Sequence, residues 1–318
     1  MPESPTCWIV SDGAAGNEKQ ALALASGLGL RPSVLRIGLR AAWRWLAPRF
    51  APVPGAGAFL PRLPEPFPEI AIGAGRIGAV ALLSLKKLSG GSTRTVQILD
   101  PRIDPARFDL VIAPGHDRLA GPHVISIDGA LHSIDADWIV RTRAAHPQAG
   151  TRASPRTVLL IGGPRRGVPL DAGVLASALS TLARWQSQEG GSLIVIGSRR
   201  TPPTWRSAVR AALPAGCTCW FTEADGQNPY AGALAWADRL IVSADSVNML
   251  SEALGTGRPV YLLSGGNASG KLGRFHEDLY ASGRLRRLDE GPADWSYPPL
   301  RELAGILPEV RQRLALPD

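Results

Sequence analysis

A repeated rhythm constrains this chain more than any other feature. Short apolar runs ending in glycine or small polar residues alternate with longer segments of helical spacing, and the series occurs twice. In the first block Cys7–Ser11 (CWIVS), Ile70–Gly73 (IAIG), Val96–Leu99 and Leu110–Ala113 read as strands, with helices over Asn17–Leu28 and Ile77–Leu88. A polar stretch, Arg141–Arg156 with Pro147, Gly150 and Pro155, then reads as a connector. The second block offers strands at Thr157–Ile161, Leu193–Ile196, Cys217–Phe221, Leu240–Val242 and Val260–Leu263. Its helices read over Ala172–Gln188, Thr204–Leu213, Pro229–Trp236 and Val247–Leu254. Strands separated by helices pair in parallel and are covered on both faces. The expected fold class is therefore α/β, with two Rossmann-like domains facing a cleft. The domains are expected over residues 1–148 and 149–297, with 298–318 packing back on the first.

Composition removes several alternatives. The 318 residues are 45% hydrophobic and 19% charged, too apolar and too weakly charged for a disordered chain. The 35 Gly and 28 Pro follow no Gly-X-Y period, which excludes collagen. No apolar run approaches the ~20 residues of a spanning helix, and Met1–Thr6 has no signal-peptide character. Cys7, Cys217 and Cys219 are too few for a disulfide framework and lack partners for a zinc site, so a reducing cytoplasm and no metal are expected. The formal charge of +8 is nearly all arginine, since Lys19, Lys86, Lys87 and Lys271 are the only lysines. Arginine suits bidentate phosphate binding, and no dense basic tail points to nucleic acid.

Four groups of residues could carry chemistry. Gly73-Ala-Gly75-Arg-Ile-Gly78 lies between a strand and a helix, and the following strand ends in Asp100. This is the layout of a dinucleotide fingerprint, at longer spacing than usual, or of glycines that let a helix pack close to a sheet. Gly265 to Lys271 spells G-x-x-x-x-G-K but continues with Leu272 where a phosphate loop needs Ser or Thr for magnesium, so it reads as an anion-facing loop with one lysine. Gly162-Gly163-Pro-Arg165-Arg166-Gly167 and Gly197-Ser198-Arg199-Arg200-Thr201 each follow a strand, and would set backbone N–H groups and guanidinium forks where a diphosphate binds. In Ser243-Ala-Asp245-Ser246-Val-Asn-Met249-Leu-Ser-Glu252, Asp245 or Ser246 can cap the next helix, and Glu252 can accept both hydroxyls of a ribose. Asp135-Ala-Asp137 has the spelling of a metal motif but reads as a helix start.

These segments, with SDGAAGNEKQALALASGLG from Ser11, PGHD at 114–117, GSRRTPP at 197–203 and SADSVNMLSEALGTGRPVYLL at 243–263, resemble the mitochondrial-fission "elongated mitochondria" family of plants and bacteria. The second half is similar to GT-B glycosyltransferases, especially the enzyme that adds N-acetylglucosamine to lipid-linked muramyl peptide. The resemblance implies a nucleotide-diphospho-sugar co-substrate and no bound cofactor. Carried over, Gly162, Gly163, Ser198, Arg199, Asp245, Ser246 and Glu252 become donor-site candidates, with Glu252 on the ribose, and Arg165, Arg200, Thr201, Met249 and Lys271 join them from the turns and segments read above. Gly13, Gly16, Asn17, Gln20, Gly73, Gly75 and Gly78 would border the acceptor, which the resemblance makes a lipid-linked or envelope molecule. Where those enzymes carry a histidine in the first glycine turn this chain has Asp12, so Asp12 or the pair His116–Asp117 is the candidate base.

Two further expectations come from outside these motifs. Leu39, Trp43, Leu46 and Phe50 fall on one helical stripe flanked by Arg40 and Arg44, with Trp45 off it. The stripe faces either the core or an anionic membrane surface, the second placing a cytoplasmic protein peripherally on the inner membrane. The resemblance also admits a noncatalytic scaffold that recruits partners to membranes, and the glycine fingerprint an NAD-binding, epimerase-like enzyme.

Overall fold

The structure, a computed structural model, describes residues 5–41, 43, 53–214 and 216–316. The chain forms two compact units, Met1–Ser133 with Arg301–Asp318, and Ile134–Leu300.

The first unit holds strands β1 (Cys7–Ser11), β2 (Pro32–Arg36), β3 (Gly38–Leu39), β4 (Phe59–Leu60), β5 (Ile70–Ala74), β6 (Arg94–Ile98), β7 (Leu110–Pro114) and β8 (Val124–Ile127). Six of them form a parallel sheet in the order β2-β1-β5-β6-β7-β8, while β3 and β4 make a separate antiparallel pair. The second unit holds β9 (Arg156–Ile161), β10 (Ser192–Gly197), β11 (Thr218–Trp220), β12 (Arg239–Ser243), β13 (Val260–Leu263) and β14 (Arg286–Arg287). These form a second six-stranded parallel sheet, ordered β11-β10-β9-β12-β13-β14.

Both sheets are covered on both faces because successive residues of a strand point to opposite sides. Ile9, Ile72 and Ile112 enter one core of the first unit, and their neighbours Val10, Ala71 and Val111 enter the other. In the second unit Val158, Leu160, Ile194 and Ile196 face one core, and Leu159, Ile161, Leu193 and Val195 the opposite one. That double burial explains the continuous apolar runs in the sequence. The last helix, Leu303–Arg313, closes one core of the first unit with fully buried Val310, and Leu314 just after it is buried as well. The Arg311 guanidinium donates to the Leu28 carbonyl at 3.2 Å.

Several expected boundaries move. Helix Ala136–Ala145 runs through the first part of the expected connector, so the units divide at 133/134 and 300/301 rather than at 148/149 and 297/298. Asp135 caps that helix by accepting the Trp138 N–H at 2.6 Å. The helix belongs to the second unit because Arg143 Nε donates to the Ala235 carbonyl at 2.8 Å, with its guanidinium 4.8 Å from the centre of the Trp236 ring. Strands β2 and β8 and helix Gly270–Ala281 were not foreseen. The two strands are the outer strands of their sheet and are only partly buried, and the helix carries a mixed sequence whose apolar residues Leu272, Phe275 and Leu279 emerge only as a buried face. The expected helical stripe fails at its start, because Leu39 lies in β3 and is buried. Trp43 packs on the same core, while Arg44, Trp45, Leu46 and Phe50 lie outside the described residues. Among the described residues no helix is long and apolar enough to cross a membrane.

Candidate functional site

Each sheet reverses its strand order once. In the first the chain steps outward from β1 to β2 and then resumes at β5 on the other side of β1. In the second it steps from β9 to β10 and β11, then resumes at β12 on the other side of β9. Parallel sheets take ligands at the carboxyl ends of strands beside such a reversal, where adjacent loops leave in opposite directions. The reversals fall at Ser11–Asn17 with Gly73–Gly78, and at Gly162–Gly167 with Ser243–Ser246.

The second of these edges is tightly built. The Gly162 N–H donates to Ser243 Oγ at 2.7 Å, and that hydroxyl donates to Asp245 Oδ1 at 2.7 Å. Asp245 Oδ2 accepts the Gly163 N–H at 3.0 Å and the Arg200 guanidinium at 2.5 Å. Asp245 is completely buried, whereas the Arg200 side chain remains 49% exposed. A buried carboxylate needs this pairing, since an uncompensated one would cost several kcal/mol. Arg165 Nη1 donates to the Asp245 carbonyl at 2.8 Å, which ties a second arginine to the same corner. Thr201 Oγ1 donates to the Gly162 carbonyl at 2.6 Å and accepts the Ser198 N–H at 2.8 Å, joining the turns after β9 and β10. The glycines are required by this closeness. A Cβ on Gly162 would stand 2.0 Å from Asp245 Oδ2, and one on Gly163 2.2 Å from the Arg200 carbonyl oxygen. Arg166 and Arg199 are exposed on the same two turns.

The structure thus brings together Gly162, Gly163, Arg165, Ser198, Arg200, Thr201 and Asp245. Ser246 caps the next helix, Val247–Gly255, by accepting the Met249 N–H at 3.3 Å. Glu252 lies on the second turn of that helix, buried, and accepts a short hydrogen bond from the Tyr230 hydroxyl. Burial, reinforced by the Glu252 carboxylate, raises the Tyr230 phenol well above its ordinary value, so it stays protonated as a donor. Lys271 is exposed in the first turn of helix Gly270–Ala281.

The first edge is looser. The turn after β1 is held by the Gly13 N–H donating to Ser11 Oγ and the Ala14 N–H donating to Asp12 Oδ1, both at 3.0 Å. Asp12 is exposed, and Gly16 and Asn17 are half-buried in the first turn of helix Ala15–Gly27. A Cβ on Gly75 would lie 3.0 Å from Asn17 Nδ2, so the two turns adjoin. Gly73 and Gly78 serve close packing of helix Gly75–Leu88 on β5, because a Cβ on Gly78 would come within 3.0 Å of the Gly73 carbonyl carbon. Gln20 is buried and its Oε1 accepts the Leu131 N–H at 3.2 Å, an internal tie away from solvent. His116 and Asp117 follow β7, two strands beyond β5, and His116 is buried. Asp100 closes a turn by accepting the Arg102 N–H at 2.8 Å.

Two members of the second edge are absent from the candidate residues: Ser243, which opens the fourth segment without a role of its own, and Tyr230, which lies outside every motif. Ser243 is the last residue of β12, and Tyr230 precedes Glu252 by 22 residues. The polar ending of an otherwise apolar strand signals the first, and nothing local signals the second. Among the described residues no three His, Cys, Asp or Glu side chains gather as a metal site.

The family model described as Mitochondrial fission ELM1 matches residues 15–314. The Mitochondrial fission protein ELM1 of Arabidopsis thaliana is 30% identical over 78% of this chain, which spans 64% of the plant protein's length. An uncharacterized protein of Rickettsia prowazekii, RP120, is 26% identical over 97% of this chain and 98% of its own. Among solved structures, UDP-GlcNAc 2-epimerase of Methanocaldococcus jannaschii superposes with a TM-score of 0.58 at 10% identity, covering 98% of this chain and 99% of the other. The Neisseria meningitidis UDP-GlcNAc 2-epimerase bound to UDP-GlcNAc gives 0.53 at 11% identity, covering 98% and 94%. The glycotransferase of kitacinnamycin gives 0.53 at 14% identity, covering 99% and 94%. These likenesses establish the fold, that of GT-B glycosyltransferases and nucleotide-sugar epimerases.

Proposed function

Since the chain belongs to the Mitochondrial fission ELM1 family, we propose that it is a glycosyltransferase that takes a nucleotide-diphospho-sugar donor and passes the sugar to a lipid-linked or envelope acceptor. The observation that carries this reading is the corner formed by Gly162, Gly163, Arg200 and Asp245 at the reversal of the second sheet. Asp245 is consumed internally, and its role is to fix the glycine turn and to aim Arg200. The half-exposed Arg200 side chain keeps N–H groups for a diphosphate, and exposed Arg165, Arg166 and Arg199 add positive charge on the same turns. Held in place before the reaction, such groups stabilise the charge that builds on the diphosphate as its bond to the sugar breaks. Glu252, oriented by Tyr230, is the ribose ligand in this reading.

The acceptor hydroxyl must lose a proton as the new glycosidic bond forms. Asp12 is the better placed base, because it is exposed at the reversal of its sheet whereas His116 is buried two strands further on. A second reading, a GT-B shell without chemistry that recruits partners, is favoured by the Tyr230 bond, which already occupies Oε2 of Glu252.

Thermal denaturation with UDP-, GDP-, CDP- and ADP-sugars, and with NAD, tests the proposal. At least one nucleotide sugar is expected to raise the midpoint. Glu252→Ala is expected to weaken that nucleotide by about tenfold or more, ~1.4 kcal/mol. No shift with any nucleotide sugar, and a Glu252→Ala protein indistinguishable from the parent, would leave the scaffold. A shift with NAD alone would revive the glycine fingerprint at Gly73–Gly78. Product analysis with a bound UDP-sugar separates transfer from epimerisation of the donor.

A further inference from the structure

A cavity of about 370 Å³ in the second unit is not lined by Gly162, Ser198, Asp245, Ser246 or Glu252. It opens beyond the carboxyl end of β13, bounded by helices Ala172–Glu189 and Gly270–Ala281, the loop Ser264–Ala268 and Arg287 to Asp289. Its volume falls in the range of small-molecule sites.

The walls are preformed. The Gly265 N–H donates to the Pro169 carbonyl at 2.7 Å, and the Ser269 N–H to the Gly167 carbonyl at 2.8 Å. The loop is thereby fastened to the turn after β9 at two points. It also lies too close to its neighbours for side chains: a Cβ on Gly265 would come 2.8 Å from Val174 Cγ2, and one on Gly273 2.3 Å from the Ala268 carbonyl oxygen. The G-x-x-x-x-G-K spelling is thus the roof of a cavity, with Lys271 outside its lining.

The lining chemistry separates this cavity from the arginine corner. It carries one guanidinium, Arg287, and the imidazole of buried His276 against two carboxylates, Glu277 and Asp289, so even with the imidazole protonated a phosphate gains nothing from its net charge. Arg287 is partly engaged, with Nη2 3.3 Å from Asn267 Oδ1 and its guanidinium 5.4 Å from the centre of the Tyr280 ring. Tyr280 itself is pushed up to about 12 by burial and remains a neutral phenol. Carboxylates accept, the hydroxyls of Ser177 and Thr181 do both, and an aromatic ring lies beside them. A hydroxyl-rich molecule both donates and accepts at every position, and its C–H faces rest against aromatic carbon.

We propose that the cavity between helices Ala172–Glu189 and Gly270–Ala281 is a second ligand site, and that it takes an uncharged saccharide or cyclic polyol. The site is independent of the nucleotide reading and stands or falls separately from it.

Saturation-transfer NMR and calorimetry on the full chain, with glucose, N-acetylglucosamine, myo-inositol and glucose 6-phosphate as probes, test this. Saturable binding of at least one neutral probe is expected. Ser177→Trp, at an exposed position on the cavity wall, is expected to weaken it by about tenfold or more through steric filling. Asp289→Lys, also at an exposed position, should weaken the same probe by removing an acceptor, while Glu252→Ala leaves it unchanged. Failure of all neutral probes to bind would overturn the proposal. So would binding untouched by Ser177→Trp and Asp289→Lys, loss of binding in Glu252→Ala, or tighter binding of glucose 6-phosphate than of glucose.

Discussion

At the reversal of the first sheet the chain turns through Ser11–Ala14 on two local hydrogen bonds within the turn, and the Asp12 side chain is exposed. At the reversal of the second, a fully buried aspartate gathers two glycine N–H groups, directly and through Ser243, and an arginine from a third loop. One edge is therefore soft and accessible, and the other is rigid and charged. In the proposed reading the difference suits two tasks: anchoring a charged donor needs hydrogen-bond donors fixed in advance, whereas admitting an acceptor needs open backbone and room to adjust.

The strongest way to break this contrast is a paired glycine replacement. Gly162→Ala is expected to cost about 3 kcal/mol or more, because its Cβ must displace a buried carboxylate from its partners. Gly13→Ala should cost only ~1 kcal/mol, since nothing lies within 4 Å and the penalty is backbone strain at φ +81°. Urea denaturation of both variants measures the gap, and equal losses would mean that the second edge is no more constrained than the first.

A smaller effect isolates the aspartate. Asp245→Asn keeps the shape but removes the charge facing Arg200, and is expected to cost about 2–3 kcal/mol, less than a fully buried pair because Arg200 is half exposed. Arginine at 200 should then lose its fixed position, so nucleotide affinity falls along with the denaturation midpoint. A variant with parental stability and affinity would show that the corner is incidental.

The mildest test lies away from both edges and sets the baseline for an ion pair that is not part of a site. Burial opposes ionisation of Asp109, but the Lys86 ammonium at 2.7 Å and hydrogen bonds from Thr95 outweigh it and hold the carboxyl below its usual value. A folded value below the unfolded one stabilises above the ordinary carboxylate range and is lost as pH falls through the depressed value. Lys86→Met should cost at most ~1 kcal/mol at pH near 7 and progressively less below pH ~4, a difference that paired denaturation curves at the two pH values would read. A loss that does not shrink in acid would place the effect in packing of the lysine stem instead.

Legibility in the sequence followed the range of the interaction. Strands Cys7–Ser11 and Val260–Leu263 have the bounds that their apolar runs predict, and helix Val247–Gly255 starts at its expected residue behind its Ser246 cap. Double burial writes itself into consecutive residues, so a reader of the sequence can find it. Helix Gly270–Ala281 was missed because its glycines and charges dilute the apolar face, which only packing against the sheet reveals. The stripe beginning at Leu39 misled for the opposite reason: helical spacing was present, but Leu39 pairs with Phe59 in a short antiparallel ladder.

The same division holds at the sites. The sequence by itself determined two parallel α/β sheets and put glycines, arginines and small polar residues at the ends of their strands, because strand periodicity and turn chemistry are local. Only the tertiary structure decided that Asp245 would be buried against Arg200, 45 residues away, that Tyr230 would meet Glu252, and that the loop from Gly265 would roof a cavity. Those contacts depend on the order of strands in the sheet, and nothing in a run of neighbouring residues fixes which distant strand will lie alongside.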